Sequence, residues 1–126
     1  MYELTLEERE KYFYACVVAP YIDVHIAVAY LNELMEAVRK TRYKKVLFAR
    51  ETPMMQTRRE YAMIASVIAN MLPADVQFAV VDRSPSHLVV KQCILDERAR
   101  KQRHLNAFDT FEEAESWLLA QDQETV

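Results

Sequence analysis

Hydrophobic positions along the chain switch between a period of two and a period near 3.6, and the switches mark an alternation of strands and helices. Tyr2, Leu4 and Leu6 alternate with Glu3, Thr5 and Glu7, which predicts a strand with one face on a core. Thr5 and Glu8 also have the spacing of a capping box that would open a short helix. The strand is preferred, because Glu8 to Lys11 reads as a polar turn into the next run. Phe13 to Ala19 is nearly continuous in apolar residues and predicts a central strand covered on both faces.

Asp23 then caps a helix whose apolar stripe is Ala27, Tyr30, Leu31, Leu34, Met35 and Val38. Val46 to Ala49 predicts a short buried strand. From about Thr57, the residues Tyr61, Ile64, Ala65, Ile68, Met71 and Leu72 repeat at helical spacing until Pro73 ends the segment. Val76 to Val81 predicts a further buried strand, and Ser84 before Pro85 the start of a helix with Val89, Val90, Cys93 and Ile94 inward. Leu105 to Phe108 is a last short strand. Thr110 and Glu113 have capping-box spacing, ahead of a terminal helix that buries Phe111, Ala114, Trp117 and Leu118.

The expected fold is α/β: a mixed, mostly parallel five-stranded sheet with four helices, the first strand antiparallel at one side. Residues 1–121 form one domain and 122–126 a polar tail.

Composition sharpens this picture mainly through an absence. The 126 residues include no glycine, where average usage of about 7% would supply roughly nine. Gly-rich phosphate loops, dinucleotide fingerprints and G-x-S-x-G elbows all need glycine for φ > 0 or for close approach to a ligand. Those enzyme classes are excluded.

A net charge of −3 argues against a dedicated nucleic-acid binder. The basic cluster Arg98, Arg100, Lys101, Arg103 and His104 reads as a solvated helix end, with a phosphate or acidic-partner contact as the alternative. Cys16 and Cys93 read as buried reduced thiols. No signal-like segment or membrane-length apolar run is present, so a cytoplasmic location and no membrane span are expected.

Two local patterns, together with the order of elements, carry a family resemblance. The ending Phe108-Asp109-Thr110-Phe111-Glu112-Glu113-Ala114-Glu115-Ser116-Trp117-Leu118 and the stretch Arg42-Tyr43-Lys44-Lys45-Val46-Leu47-Phe48 resemble the SpoIIAA-like branch of the STAS family, a bacterial group. The resemblance spans nearly the whole chain. It departs at Ala19-Pro20 and Lys101-Gln102, where the family often has glycine, so unusual loop geometry is expected at both.

The resemblance implies a STAS-like fold and a non-enzymatic regulatory or binding module without a cofactor, acting on a protein partner or a small apolar ligand and able to form a homodimer. Relatives are phosphorylated on a Ser or Thr after the central strand, and the matching candidates are Thr52 and Thr57, with Arg50, Arg58 and Arg59 nearby. Both threonines also read as helix-capping residues.

Loops that follow parallel strands gather on one edge of the sheet. That edge is expected to hold Tyr21, Asp23 and His25, then Met54 and Met55, then Asp82, Ser84 and His87, as a ligand or partner surface. Two further readings stay open. His25 or His87 with Asp23 or Asp82 is the best acid–base constellation for an enzyme, and the methionines and tyrosines around the first two helices are core or an apolar groove. No metal-ligand spacing occurs.

Overall fold

The computed structural model describes residues 1–100 and 104–124. Strands β1 (Glu3–Glu8), β2 (Phe13–Val18), β3 (Lys45–Glu51), β4 (Gln77–Asp82) and β5 (Leu105–Phe108) form one sheet in sequential order. The sheet is mixed: β1 runs antiparallel to β2, while β2–β3, β3–β4 and β4–β5 pair in parallel. Four helices accompany it, α1 (Val24–Arg39), α2 (Arg58–Met71), α3 (His87–Arg100) and α4 (Phe111–Glu124).

Residues two apart on a strand share a face, and this alternation divides the core. Phe13, Ala15 and Val17 of β2, Val46 and Phe48 of β3, and Phe78 and Val80 of β4 meet the apolar stripes of α1, α2 and α3. Leu47, Ala79 and Val81 point the other way, onto Ala114 and Leu118 of α4. Three helices thus cover one face and one helix the other.

Phe48 is the centre of the larger core. Its ring stacks on Tyr30 and on Phe78, each 5.6 Å away between centroids. Offset stacking of this kind adds about 1 kcal/mol to the gain from burial.

The helix starts follow the capping residues. Asp23 Oδ1 accepts the Ile26 amide at 2.8 Å, Thr57 and Glu60 close a capping box on α2, and Thr110 Oγ1 accepts the Glu113 amide at 3.2 Å. Each satisfies an amide that the first turn leaves without an intrahelical acceptor.

The preferred strand forms as β1, and the competing Thr5–Glu8 capping box does not, since both residues lie on that strand. Several expectations are corrected. β2 is buried on one face only; Tyr14 and Cys16 are half-buried and Val18 is exposed, because α4 packs over β3, β4 and β5. Cys93 is buried as expected but Cys16 is not fully so, and burial pushes both thiols up, towards the neutral, unreactive form.

The Ser84-Pro85 signal lies ahead of α3 and not in its first turn. Residues 84–87 form a turn closed by the His87 amide on Ser84 O at 3.1 Å, and Ser86 O accepts the first helical bond from Val90 at 3.0 Å. The α4 backbone continues through Glu124, past the expected start of the polar tail, since Gln, Asp and Glu are tolerated in a helix and no Pro or Gly intervenes.

No described residue has positive φ. At Ala19-Pro20 the chain bends away from β2 with the Ala19 amide still bonded to Glu51 O at 3.1 Å and no positive φ, so the missing glycine forces no left-handed turn. Lys101-Gln102 lies outside the described residues. No helix among those described is long and apolar enough to cross a membrane.

Truncating Phe48 to Ala is expected to lower the unfolding free energy by about 3–5 kcal/mol, whereas Met63→Ala on the exposed side of α2 should change it by less than about 0.5 kcal/mol. Urea midpoints of the two variants against the parent check this; equal midpoints would contradict the assignment of Phe48 to the core.

Candidate functional site

The apolar column Val46, Phe48 on β3 ends in Arg50, and the column Phe78, Val80 on β4 ends in Asp82. The two strands are in register at all three levels, so Arg50 stands beside Asp82 on the face that carries α1, α2 and α3. The Arg50 side chain is fully buried and its partner nearly so. Leaving an unpaired charge there would cost several kcal/mol, so every donor of the guanidinium demands an acceptor.

The end of β4 and the surrounding loops supply them for both terminal nitrogens. Arg50 Nη1 donates to Asp82 Oδ1 at 3.2 Å and to Ser84 Oγ at 3.4 Å, and Nη2 donates to Gln56 Oε1. Ser84 Oγ in turn donates to Asp82 Oδ2 at 2.6 Å. Gln56 extends the network to two further segments: its amide N–H donates to Ser86 Oγ at 2.6 Å and its Nε2 to Ile22 O at 2.8 Å. The loops after β2, β3 and β4 are therefore tied to one buried cation.

Two tyrosines close the cluster from the helix side. The guanidinium lies over the Tyr61 ring at 4.9 Å, a cation–π contact worth about 2 kcal/mol when desolvated. Tyr30 Oη, Tyr61 Oη and Arg50 Nε have no partner of sound hydrogen-bond geometry. Burial pushes the Tyr30 phenol up to about 12, opposed by the neighbouring Arg50 charge, and raises Tyr61 further.

The expected site residues are distributed around this cluster. Tyr21, 49% exposed, and Met55, 69% exposed, stand on the loops that Gln56 ties down, and Leu88, 67% exposed, lies in the first turn of α3. Met54 is half-buried. These exposed apolar side chains follow the ends of β2, β3 and β4, while Met1 and Val18 line a separate shallow pocket with Ala19 and Pro20.

The acid–base constellation is not assembled. Asp23 is the N-cap of α1 and Asp82 is held by Arg50 and Ser84. His25 lines a groove against β1, while His87 Nδ1 lies 3.2 Å from Ser84 O. Among the described residues, no three His, Cys, Asp or Glu side chains converge as metal ligands.

The two threonines differ. Thr52 is 2% exposed and its Oγ1 accepts the Met54 amide at 3.3 Å, so a kinase could reach it only after local opening. Thr57 is exposed, with Oγ1 donating to Glu60 Oε1 at 2.8 Å. Arg50 is committed to the core and is not free to pair a surface phosphate, and Arg58 holds Asp96 at 2.9 Å.

Sequence reasoning missed the central role of Arg50 and overlooked Gln56 and the hydroxyl of Ser86 as its supports. A signal was present: Arg50 and Asp82 share the period-two phase of Val46–Phe48 and Phe78–Val80, which assigns two opposite charges to an otherwise apolar face. Comparison with known protein families finds no match, and no curated protein matches the chain.

Replacing Arg50 by Met should destabilise the fold by about 3–5 kcal/mol, because Asp82 is left buried with the Ser84 hydrogen bond but no countercharge. Adding Asp82→Asn should recover part of that loss, and a double variant less stable than Arg50→Met would contradict the pairing.

The tyrosines predict an alkaline limit. Their folded pKa values lie above the unfolded value of about 10, so the stability they contribute is fully present below that pH and falls as pH rises towards about 12 for Tyr30. Each phenol adds a slope of about −1.4 kcal/mol per pH unit in that window. Urea unfolding across the window should show the decline, and Tyr30→Phe and Tyr61→Phe should each make it shallower.

Proposed function

We propose that the chain is a non-enzymatic, STAS-like regulatory module that binds a protein partner through the C-terminal edge of its parallel strands. The observation that carries this reading is the exposure of Tyr21, Met55 and Leu88 on the segments that follow β2, β3 and β4, which the buried Arg50 network holds together. Loops after parallel strands gather on one edge of the sheet, and large apolar side chains exposed there suit a partner surface. Loops anchored from below lose little conformational entropy on binding, which favours affinity.

The sequential strand order, with three helices on one face, supports the STAS-like reading at the level of fold alone. Should the partner be switched by phosphorylation, Thr57 is the acceptor favoured by exposure. A phosphate there would sit at the N-terminus of α2, where the helix dipole favours negative charge, and would compete with the Glu60 cap.

A second reading, carriage of a small apolar ligand, is supported by an open groove of about 560 Å³ between β1 and α1. The core beside α1 and α2, where the groove was expected, is filled by Tyr30, Met35, Tyr61 and Ile64. A ligand in the open groove would stay largely in water, so the protein-partner reading is preferred.

Site-specific photo-crosslinkers at Met55 and Leu88, installed in the producing cell, should both trap the same discrete protein, and one at exposed Glu36 on α1 should not. A self-adduct would make the partner a second copy of this chain. Indistinguishable patterns from all three positions would overturn the assignment of this edge. Mass spectrometry of the natively expressed protein should find any regulatory phosphate on Thr57, with Thr52 unmodified.

A further inference from the structure

Among the described residues, the strand β1 pairs on one side only, with β2, and its other edge is free. A free edge offers a row of backbone donors and acceptors to any extended chain, and natural edges carry features that select or reject such chains. The two faces of β1 differ in chemistry. Tyr2 and Leu4 lie on the face that packs towards α1, and Glu3, Thr5 and Glu7 lie on the opposite face, across from Val18, Cys16 and Tyr14 of β2.

The position that a sixth strand would take is already partly shaped. Helix α1 places Ile26, Ala29 and Glu33 beyond its buried stripe, and these with Tyr2 and Leu4 line the open groove of about 560 Å³. Tyr2 Oη donates to Glu33 Oε2 and closes the groove at its far wall. One face of an added strand would meet this apolar trough. Its other face would meet carboxylates: Glu3, which has no cationic partner among the described residues, and Glu7, which holds Arg9 at 3.0 Å.

The carboxylates of β1 discriminate by charge. An antiparallel self-pairing centred on Thr5 puts Glu3 opposite Glu7 twice, whereas one centred on Leu6 puts Glu3 opposite Arg9. Like charges directly across a ladder are destabilising, whereas opposite charges gain about 0.2–1 kcal/mol per pair. In either register Glu3 disfavours a carboxylate and favours a cation, so the edge selects the opposite sign.

We propose that the free edge of β1 binds an extended peptide in which basic and apolar residues alternate, by adding it to the sheet as a sixth strand. Backbone bonds to β1 supply affinity, the apolar side chains enter the trough against Leu4 and Ile26, and the basic ones pair with Glu3 and Glu7. This surface adjoins the pocket at Val18 through Met1 and Tyr2, and it does not rest on the exposed Tyr21, Met55 and Leu88.

Two six-residue capped probes test the proposal, one alternating Lys and Val and one alternating Glu and Val, followed by amide NMR shifts of the full chain. The Lys–Val probe should bind saturably, shift β1 amides more than β5 amides, and weaken as salt is raised. The Glu–Val probe should bind more weakly by about tenfold, equivalent to about 1.4 kcal/mol across two reversed pairs.

Glu3→Lys with Glu7→Lys, both exposed positions, should invert that preference, and Ala29→Lys on the groove rim should weaken both probes. Circular dichroism matching the parent establishes that each variant is folded; if the double lysine variant is not, Glu3→Gln with Glu7→Gln should abolish the preference in its place. Absence of saturable Lys–Val binding, shifts centred on β5, or an unchanged preference in the charge variants would each overturn the proposal.

Discussion

One buried cation organises the working end of this molecule. Arg50 sits inside the three-helix face of the sheet, where an uncompensated guanidinium would be prohibitively unstable, so its surroundings must deliver acceptors from fixed directions. They come from the end of β4, from the loop before α2 and from the loop before α3. An ion pair of this kind adds little net stability over an apolar pair of equal shape, because desolvation offsets the Coulomb attraction. Its effect is geometric: slippage of β3 against β4, or displacement of the Gln56 loop, would strand the charge.

The same requirement explains how a chain without glycine builds its connections. No described residue occupies the left-handed region. Side chains do the work that special backbone conformations do elsewhere: Gln56 bridges two loops, Ser84 donates back to Asp82, Ser86 accepts the Gln56 amide, and Thr41 holds the exit of α1 through Val38 O at 2.8 Å. Serine, threonine and proline at the turns are chemically suited to this, since their hydroxyls or fixed φ stabilise tight geometry with φ below zero.

Unequal covering of the sheet sets where the molecule can meet others. With three helices on one face and α4 over β3 to β5 on the other, β1 is left with a free edge and β2 with one half-open face. The carboxylates of Glu3 and Glu7 set the charge that suits a strand added at that edge. At the end of the parallel strands the balance is reversed: the polar groups are buried in the Arg50 cluster, and the apolar Tyr21, Met55 and Leu88 are turned to water.

How much of this was legible in the chain depended on the range of the interaction involved. Asp23, Thr57 and Thr110 disclosed three helix starts, and the periodicities of Tyr30–Leu34 and Ile64–Ile68 disclosed buried faces, because capping and amphipathicity act within one or two turns. The alternation at Tyr2–Leu6 disclosed β1 for the same reason. Tertiary structure alone decided that α4 covers β3 to β5 and meets β2 mainly at Tyr14, that Ser84 serves Arg50 in place of opening α3, and that Thr52 is buried while Thr57 is not. The pairing of Arg50 with Asp82 belongs to both: each residue's phase was written locally, but their meeting required the register of two strands 32 residues apart. Local sequence selects the face a side chain takes, and only the packed sheet selects its neighbour.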